Sequence, residues 1–293
     1  MQAWRPGLPA NRTRHAQIDR VQWRTVPTAV EFHNVSLAFD DHVVLDNLSF
    51  TVPRGSMRIL LGASGAGKSL VLKLILGLFK PDSGTIVVNE NRVTEMTEGQ
   101  LLAMRADVGM VFQENALFDS LTVAENVGFR LYEASDMSLD DVRARVEEVL
   151  TFLGLGEFID RMPSTLSGGQ RRRVGIARAM ASKPSLILFD DSTTGLDPVI
   201  STSVDDEIVK LRDLQQVTSI VVSQQIRDAH YIATHATEQL SDGRLRVVAE
   251  DTGRATFMVL HDGRIVFEGT AAELFASKDA YLQRFLYRTL PPW

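Results

Sequence analysis

Gly62-Ala63-Ser64-Gly65-Ala66-Gly67-Lys68-Ser69 follows an apolar run, Ile59-Leu60-Leu61, and precedes a helical one, Leu70 to Leu78. The spacing is G-x-x-x-x-G-K-[ST], and the strand–loop–helix setting gives it a mechanism. The glycines let the backbone curl so that successive N–H groups point inward. The following helix directs its positive N-terminal end at the same point, and Lys68 is long enough to reach outer phosphate oxygens. Ser69 offers a hydroxyl to Mg²⁺. A nucleoside triphosphate with Mg²⁺ is the implied ligand, held by Gly62, Ala63, Ser64, Gly65, Ala66, Gly67, Lys68, Ser69 and the turn at Leu70.

Two later stretches extend that reading. Leu186-Ile187-Leu188-Phe189-Asp190-Asp191 is a short buried strand ending in two acids, which the metal side of a phosphate-loop site requires. Buried carboxylates without a cation nearby are costly. Leu166-Ser167-Gly168-Gly169-Gln170 opens the arginine-rich helix 171–182, so Ser167 and the exposed N–H groups make a second anion site.

Upstream, Val30 to Phe39 and Val43 to Val52 read as strands of an antiparallel sheet lying against the phosphate loop, with turns at Asp40-Asp41 and Pro53-Arg54-Gly55. Pro81-Asp82-Ser83-Gly84 turns into a strand, Thr85 to Val88, and a short helix over Gly99 to Arg105 feeds the strand Val108 to Phe112, which Gln113 ends. Val142, Val146, Val149 and Leu153 recur at helical spacing within a helical subdomain over about 114–165. Residues 1–27 carry five arginines and three prolines without an apolar period and read as a mobile basic tail.

Composition sets the outer bounds. The 293 residues, 44% hydrophobic, suffice for a sizeable core. The absence of cysteine removes disulfides and thiolate metal sites, and 37 Asp and Glu against 31 Lys and Arg argue against general nucleic-acid affinity. No apolar run approaches the ~18 residues of a membrane span.

In this order the residues resemble the ATP-binding subunits of ABC transporters, over about Val30 to Gly269. The resemblance rests on the phosphate loop, the glutamine loop at Gln113, the signature Leu166 to Gln170, Asp190 and the Asp-loop Thr194-Gly195-Leu196-Asp197. It implies an α/β fold of the P-loop NTPase type, with a RecA-like core, an antiparallel β subdomain, a helical subdomain and a C-terminal hairpin and helix extension over about 237–293. By the same resemblance Phe39 stacks on adenine, and Ser69, Gln113 and Asp190 surround Mg²⁺. Asp191, Gln224 and Gln113 serve hydrolysis, and Ser167, Gly168, Gly169 and Gln170 contact the γ-phosphate held by a second subunit. The resemblance also implies a dimer, a separate membrane permease and a place on the cytoplasmic side of the inner membrane. The run from Val108 to Val127 looks most like the subunits that energise Mla-type and MCE-associated lipid transporters, whose partners include MCE-type lipid-binding proteins. Amino-acid and ion importers share its Gln-x-x-x-Leu-Phe framework and stay open as the alternative.

Two positions depart from the family's pattern. Asp191 stands where the family has a Glu that polarises the attacking water, and Gln224 where it has a His; Ser192 also replaces the usual Pro. Asp keeps the charge one methylene short, and Gln keeps a donor without the capacity for positive charge. Binding is expected to survive, and slow turnover is expected. A shorter base that works after a small loop shift, a degenerate site in an asymmetric pair, and a subunit that binds ATP without turning it over all stay open. Glu238 to Arg254 reads as an inserted surface hairpin, and Asp262-Gly263 as the turn of another.

Overall fold

A computed structural model of the protein describes residues 27–114, 116–134 and 136–289. The tail read over residues 1–27 therefore lies, apart from Pro27, outside the described residues. Strands β1 (Thr28–Phe39), β2 (His42–Pro53), β4 (Ser83–Val88) and β5 (Asn91–Arg92) form an antiparallel sheet in the order β2-β1-β4-β5. A second sheet runs β12 (Arg264–Gly269), β11 (Ala255–His261), β3 (Met57–Leu61), β8 (Thr218–Ser223), β7 (Leu186–Asp190), β6 (Val108–Val111). It is parallel throughout except for the edge strand β12.

The central strands are apolar on both faces because both faces are covered. Met57, Ile59 and Leu61 point into one core with Ile187, Phe189 and Val221, and Leu60 points into the other with Leu188, Ile220 and Val222. Helices α3 (Val123–Ala134), α4 (Leu139–Phe152), α5 (Gly168–Ala181), α6 (Pro198–Lys210) and α7 (Ile226–Thr234) contribute to the first core. α1 (Lys68–Ile75), α2 (Glu98–Arg105) and the antiparallel sheet contribute to the second. Complete burial of Ile59, Leu60 and Leu61 contributes roughly 1.5–3 kcal/mol each. That anchors a glycine-rich loop at the strand end, where Gly65 and Gly67 hold left-handed φ values of 77° and 96°.

Three sequence expectations change in detail. The first helix starts at Lys68 rather than Leu70 and ends at Ile75, because Gly77 turns left-handed at φ 64° and its place beside Leu101 leaves no room for a side chain. The inserted hairpin begins earlier than Glu238: β9 (His235–Gln239) pairs with β10 (Leu245–Ala249) around Gly243. The region read as a C-terminal extension from about 237 contains a core strand, since β11 lies parallel to β3 in the pairing Phe257–Ile59 and is buried along its middle. Beyond it, α8 (Ala271–Ala276) and α9 (Ala280–Thr289) add Leu274, Leu282 and Phe285 to the first core.

Between α6 and α7 lies a carboxyl group without a partner. Asp205 is 1% exposed and neither of its carboxyl oxygens is hydrogen-bonded. Burial first, then the neighbouring Asp228, raises its pKa well above the usual carboxylate range; Arg227 opposes the shift and Asp206 adds to it. The folded state thus keeps this proton to higher pH than the unfolded chain. Its contribution to stability is full below the ordinary carboxylate pKa and is lost as pH rises through the raised value. Asp205→Asn is therefore expected to melt near wild type at about pH 4, close to the ordinary carboxylate pKa, and above it at pH 8, by about 2–4 °C for each kcal/mol of penalty removed. Thermal melts at the two pH values check this, and a Tm difference independent of pH would refute it.

Candidate functional site

Because β3, β8, β7 and β6 are parallel, their C-terminal ends share one edge of the sheet, the place where open α/β sheets bind ligands. From that edge come the phosphate loop, Gln224 just past β8, Asp190 and Asp191 at the end of β7, and Gln113 just past β6.

In the loop, Gly62 is buried, and a Cβ there would lie 2.6 Å from the Leu260 carbonyl oxygen. Only glycine fits that approach. Ala63, Ser64 and Gly65 are exposed. Gly67 stands at the start of α1, with a Cβ position 3.1 Å from the side chains of Val44 and Leu45. The antiparallel sheet therefore packs on the loop, as the sequence suggested. The first turn of α1 has no acidic residue and no side-chain cap; Leu70 N and Val71 N donate to Gly67 O at 3.0 and 3.1 Å, which leaves the N–H groups of Lys68 and Ser69 for an anion.

Lys68 is 5% exposed and donates to the carbonyls of Gly62 at 2.9 Å and Ala63 at 2.8 Å. Burial lowers its pKa, and the charges of Asp191 and Asp190 oppose that shift. Ser69 Oγ donates to Asp190 Oδ1 at 2.7 Å. Burial raises the Asp190 pKa, the bond from Ser69 works against it, and Asp191 adds to it. A cation beside Asp190 would relieve that burial. Among the described residues no three carboxylate or imidazole groups converge to hold a metal. A cation on Ser69 and Asp190 thus needs phosphate oxygens to complete its shell.

Gln224 Nε2 donates to Asp191 Oδ2 at 2.6 Å. Asp191 is 2% exposed, adopts a left-handed φ of 50°, and its Oδ1 is buried without a partner. The two positions that depart from the family pattern thus touch each other. One carboxylate oxygen is fixed by the amide, and the other is buried without a hydrogen-bond partner. The uncapped helix start, the lysine resting on its own loop, the half-buried Asp190 and the orphaned Asp191 oxygen together fit a magnesium nucleotide.

The other predicted residues lie outside these contacts. Phe39 is 44% exposed and meets Phe79 edge-to-face at 5.9 Å, a surface ring with an open face. The Gln113 side chain is exposed. Ser167 Oγ accepts from Gln170 N at 3.2 Å and Ser167 N donates to Gln170 Oε1 at 2.8 Å, so the two cap α5 reciprocally. Gly169 is packed so closely that a Cβ would come within 2.5 Å of Ile200 Cγ2. Asp197 Oδ1 caps α6 by accepting from Val199 N at 3.0 Å and Ile200 N at 3.1 Å.

Sequence reasoning passed over Arg172. Residues 171–182 read as an arginine-rich helix with no place given to its single arginines, yet Arg172 is 3% exposed. The signal was its register: Arg172 is three residues past Gly169 and four before Ile176, both on the buried face.

A family model described as "ABC transporter" matches residues 45–194. The chain is 35% identical over 272 residues to the methionine import ATP-binding protein MetN of Corynebacterium glutamicum, covering 91% of this chain and 69% of that protein. It is 34% identical over 267 residues to TRIGALACTOSYLDIACYLGLYCEROL 3, chloroplastic, of Arabidopsis thaliana, covering 87% and 72%. It is 33% identical over 263 residues to the intermembrane phospholipid transport system ATP-binding protein MlaF of Escherichia coli, covering 90% of each. Among solved structures, a dimeric ATP-binding cassette in a post-hydrolysis state bound to ADP and Pi is similar, at 28% identity and a TM-score of 0.68, over 82% of this chain and 98% of that one.

Proposed function

Because this chain belongs to the ABC transporter family, as an ATP-binding subunit with ATPase chemistry, we propose that it energises a separate membrane permease that moves phospholipid or another apolar substrate. The observation that carries the lipid assignment is the run from Val108 to Val127, read with the similarity to the phospholipid system's MlaF. In the structure this run leads from β6 into α3 and displays Phe112 and Phe118, with the ring of Phe129 tilted against that of Phe118 at 4.7 Å. Exposed aromatics in a cluster suit an apolar helix of a partner. Among the described residues no helix is long and apolar enough to cross a membrane; in this reading the apolar helix belongs to the permease.

In this reading Gly62 to Leu70 hold the phosphates of ATP, Phe39 offers its face to adenine, and Ser69, Asp190 and Gln113 surround Mg²⁺. Mg²⁺ supplies charge neutralisation at the phosphates. Asp191, oriented by Gln224, accepts the proton of the attacking water. Ser167, Gly168 and Gly169, with the cap residue Gln170, close on the nucleotide of a second subunit, so that two copies sandwich two nucleotides. The assembly sits peripherally on the cytoplasmic side of the inner membrane, with an MCE-type lipid-binding protein as a further partner.

Co-expression with a permease and an MCE-type protein encoded beside it tests the assignment. The expected result is a co-purified complex whose ATPase rate responds to phospholipid. A complex that responds to methionine and not to phospholipid would transfer the chain to the importers. The short base and the glutamine at 224 favour a second reading, a subunit that binds ATP and turns it over little, and single-turnover hydrolysis separates the two.

A further inference from the structure

Arg172 buries a guanidinium where no nucleotide contact asks for one. Its Nη1 donates to the carbonyl of Phe112 at 2.8 Å and to that of Gln113, while its Nε is buried without a partner. Burial lowers its pKa and the charge of Asp191 opposes that shift, so the cation is within electrostatic reach of the candidate base. Farther along α5, Arg178 Nη1 donates to the Ala116 carbonyl at 2.6 Å. The end of this segment is fastened by Asn126 of α3, which accepts from Phe118 N at 2.8 Å and donates to Phe118 O at 3.0 Å.

Stability alone does not call for this arrangement. Phe112 and Gln113 lie on an exposed stretch, where water satisfies carbonyls at no desolvation cost. A buried guanidinium with an unbonded Nε is a poorer solution than an apolar side chain of the same volume. What the guanidinium adds is direction: two charge-assisted bonds to successive carbonyls define where the backbone at Gln113 lies relative to α5. The N-terminus of α5 is the signature loop, Ser167 to Gln170.

We propose that Arg172 is a positioning residue for hydrolysis, a clamp that locks the backbone at Gln113 to the signature helix so that the two move as one body when the site closes. This rests on the ATPase reading above. Arg172 touches neither the phosphate loop nor Asp190, so its loss separates catalysis from binding.

Three variants test it: Arg172→Met, which keeps the volume, Arg172→Gln, which is uncharged and serves in its place should the first not fold, and Arg172→Lys, which keeps the charge and one donor group. Amide hydrogen exchange over residues 112–116 is measured beside kcat, KM and equilibrium binding of a fluorescent ATP analogue. In Arg172→Met, exchange is expected to accelerate about tenfold or more and kcat to fall about tenfold, since small displacements of positioning groups cost rate steeply. KM and ATP affinity stay within about threefold and Arg172→Lys recovers part of both losses. Unchanged exchange in Arg172→Met overturns the clamp, and faster exchange at wild-type kcat overturns its part in hydrolysis. Equal loss of kcat and ATP affinity in every variant assigns Arg172 to folding and overturns the proposal too. A wild type that binds ATP without hydrolysing it defeats the proposed function instead, and the exchange data still decide the clamp.

Discussion

Asp191→Asn is expected to lower kcat at saturating Mg-ATP by about 100-fold or more, with ATP affinity changed no more than a few-fold, in keeping with loss of a general base. Asparagine keeps the shape and the contact with Gln224 but leaves a neutral atom where Oδ1 now stands buried and unpartnered. The bond from Gln224 at 2.6 Å makes the two residues one unit. Asp191→Glu alone pushes a longer carboxylate against that amide, and Gln224→His alone faces a carboxylate that stops short. Each single change is expected to do little, whereas Asp191→Glu with Gln224→His is expected to exceed wild-type kcat, because coupled groups are non-additive. The four rates are compared at equal dimer content. A wild type already turning over at the ~1–100 s⁻¹ of efficient phosphoryl-transfer enzymes, or a double variant no faster, would show that Asp191 and Gln224 are adequate and that this site is not attenuated.

Lys68→Ala is expected to weaken ATP binding by about 100-fold, in line with the ~1.5–3 kcal/mol of a hydrogen bond to a charged group plus the lost field. The ammonium group is already desolvated and is now held by two carbonyls of its own loop. Exchanging those for phosphate oxygens needs no new burial. Removing it also frees Gly62 O and Ala63 O, so the melting temperature is followed alongside. Titration with a fluorescent ATP analogue checks the prediction, and equal affinity in the two proteins at equal stability would contradict the assignment of the loop.

The parts of this site that were legible in the sequence are those fixed by local chemistry. The phosphate loop needs glycines at set positions, and the strand before Asp190 reads as an apolar run because both its faces are covered. The pairing of β11 with β3 was not legible. The residues involved are about 200 positions apart, Phe257 beside Ile59, and nothing local in either strand records its neighbour. The Asp262-Gly263 turn was visible, and it suggested a peripheral hairpin where one strand is central. The Asp191–Gln224 contact escaped for the same reason, since it joins the ends of adjacent strands 33 residues apart. Arg172 went unread differently: within an arginine-rich helix its register, three residues past Gly169 and four before Ile176, marks it as buried.

In the proposed assembly each chain carries two half-sites that only a second ATP-bound copy completes, and light scattering with and without Mg-ATP reads that pairing. Gly168→Asp is the informative control. A Cβ at Gly168 meets only Leu196 at the ordinary distance of 3.6 Å, so the fold accepts the side chain while a carboxylate enters the signature where a phosphate is expected. Expected are a monomer without nucleotide, a dimer at saturating Mg-ATP, and a Gly168→Asp protein that binds ATP with near wild-type affinity yet stays monomeric. A wild type that binds Mg-ATP and remains monomeric at saturation, or a Gly168→Asp variant that dimerises as readily as wild type, would contradict that pairing.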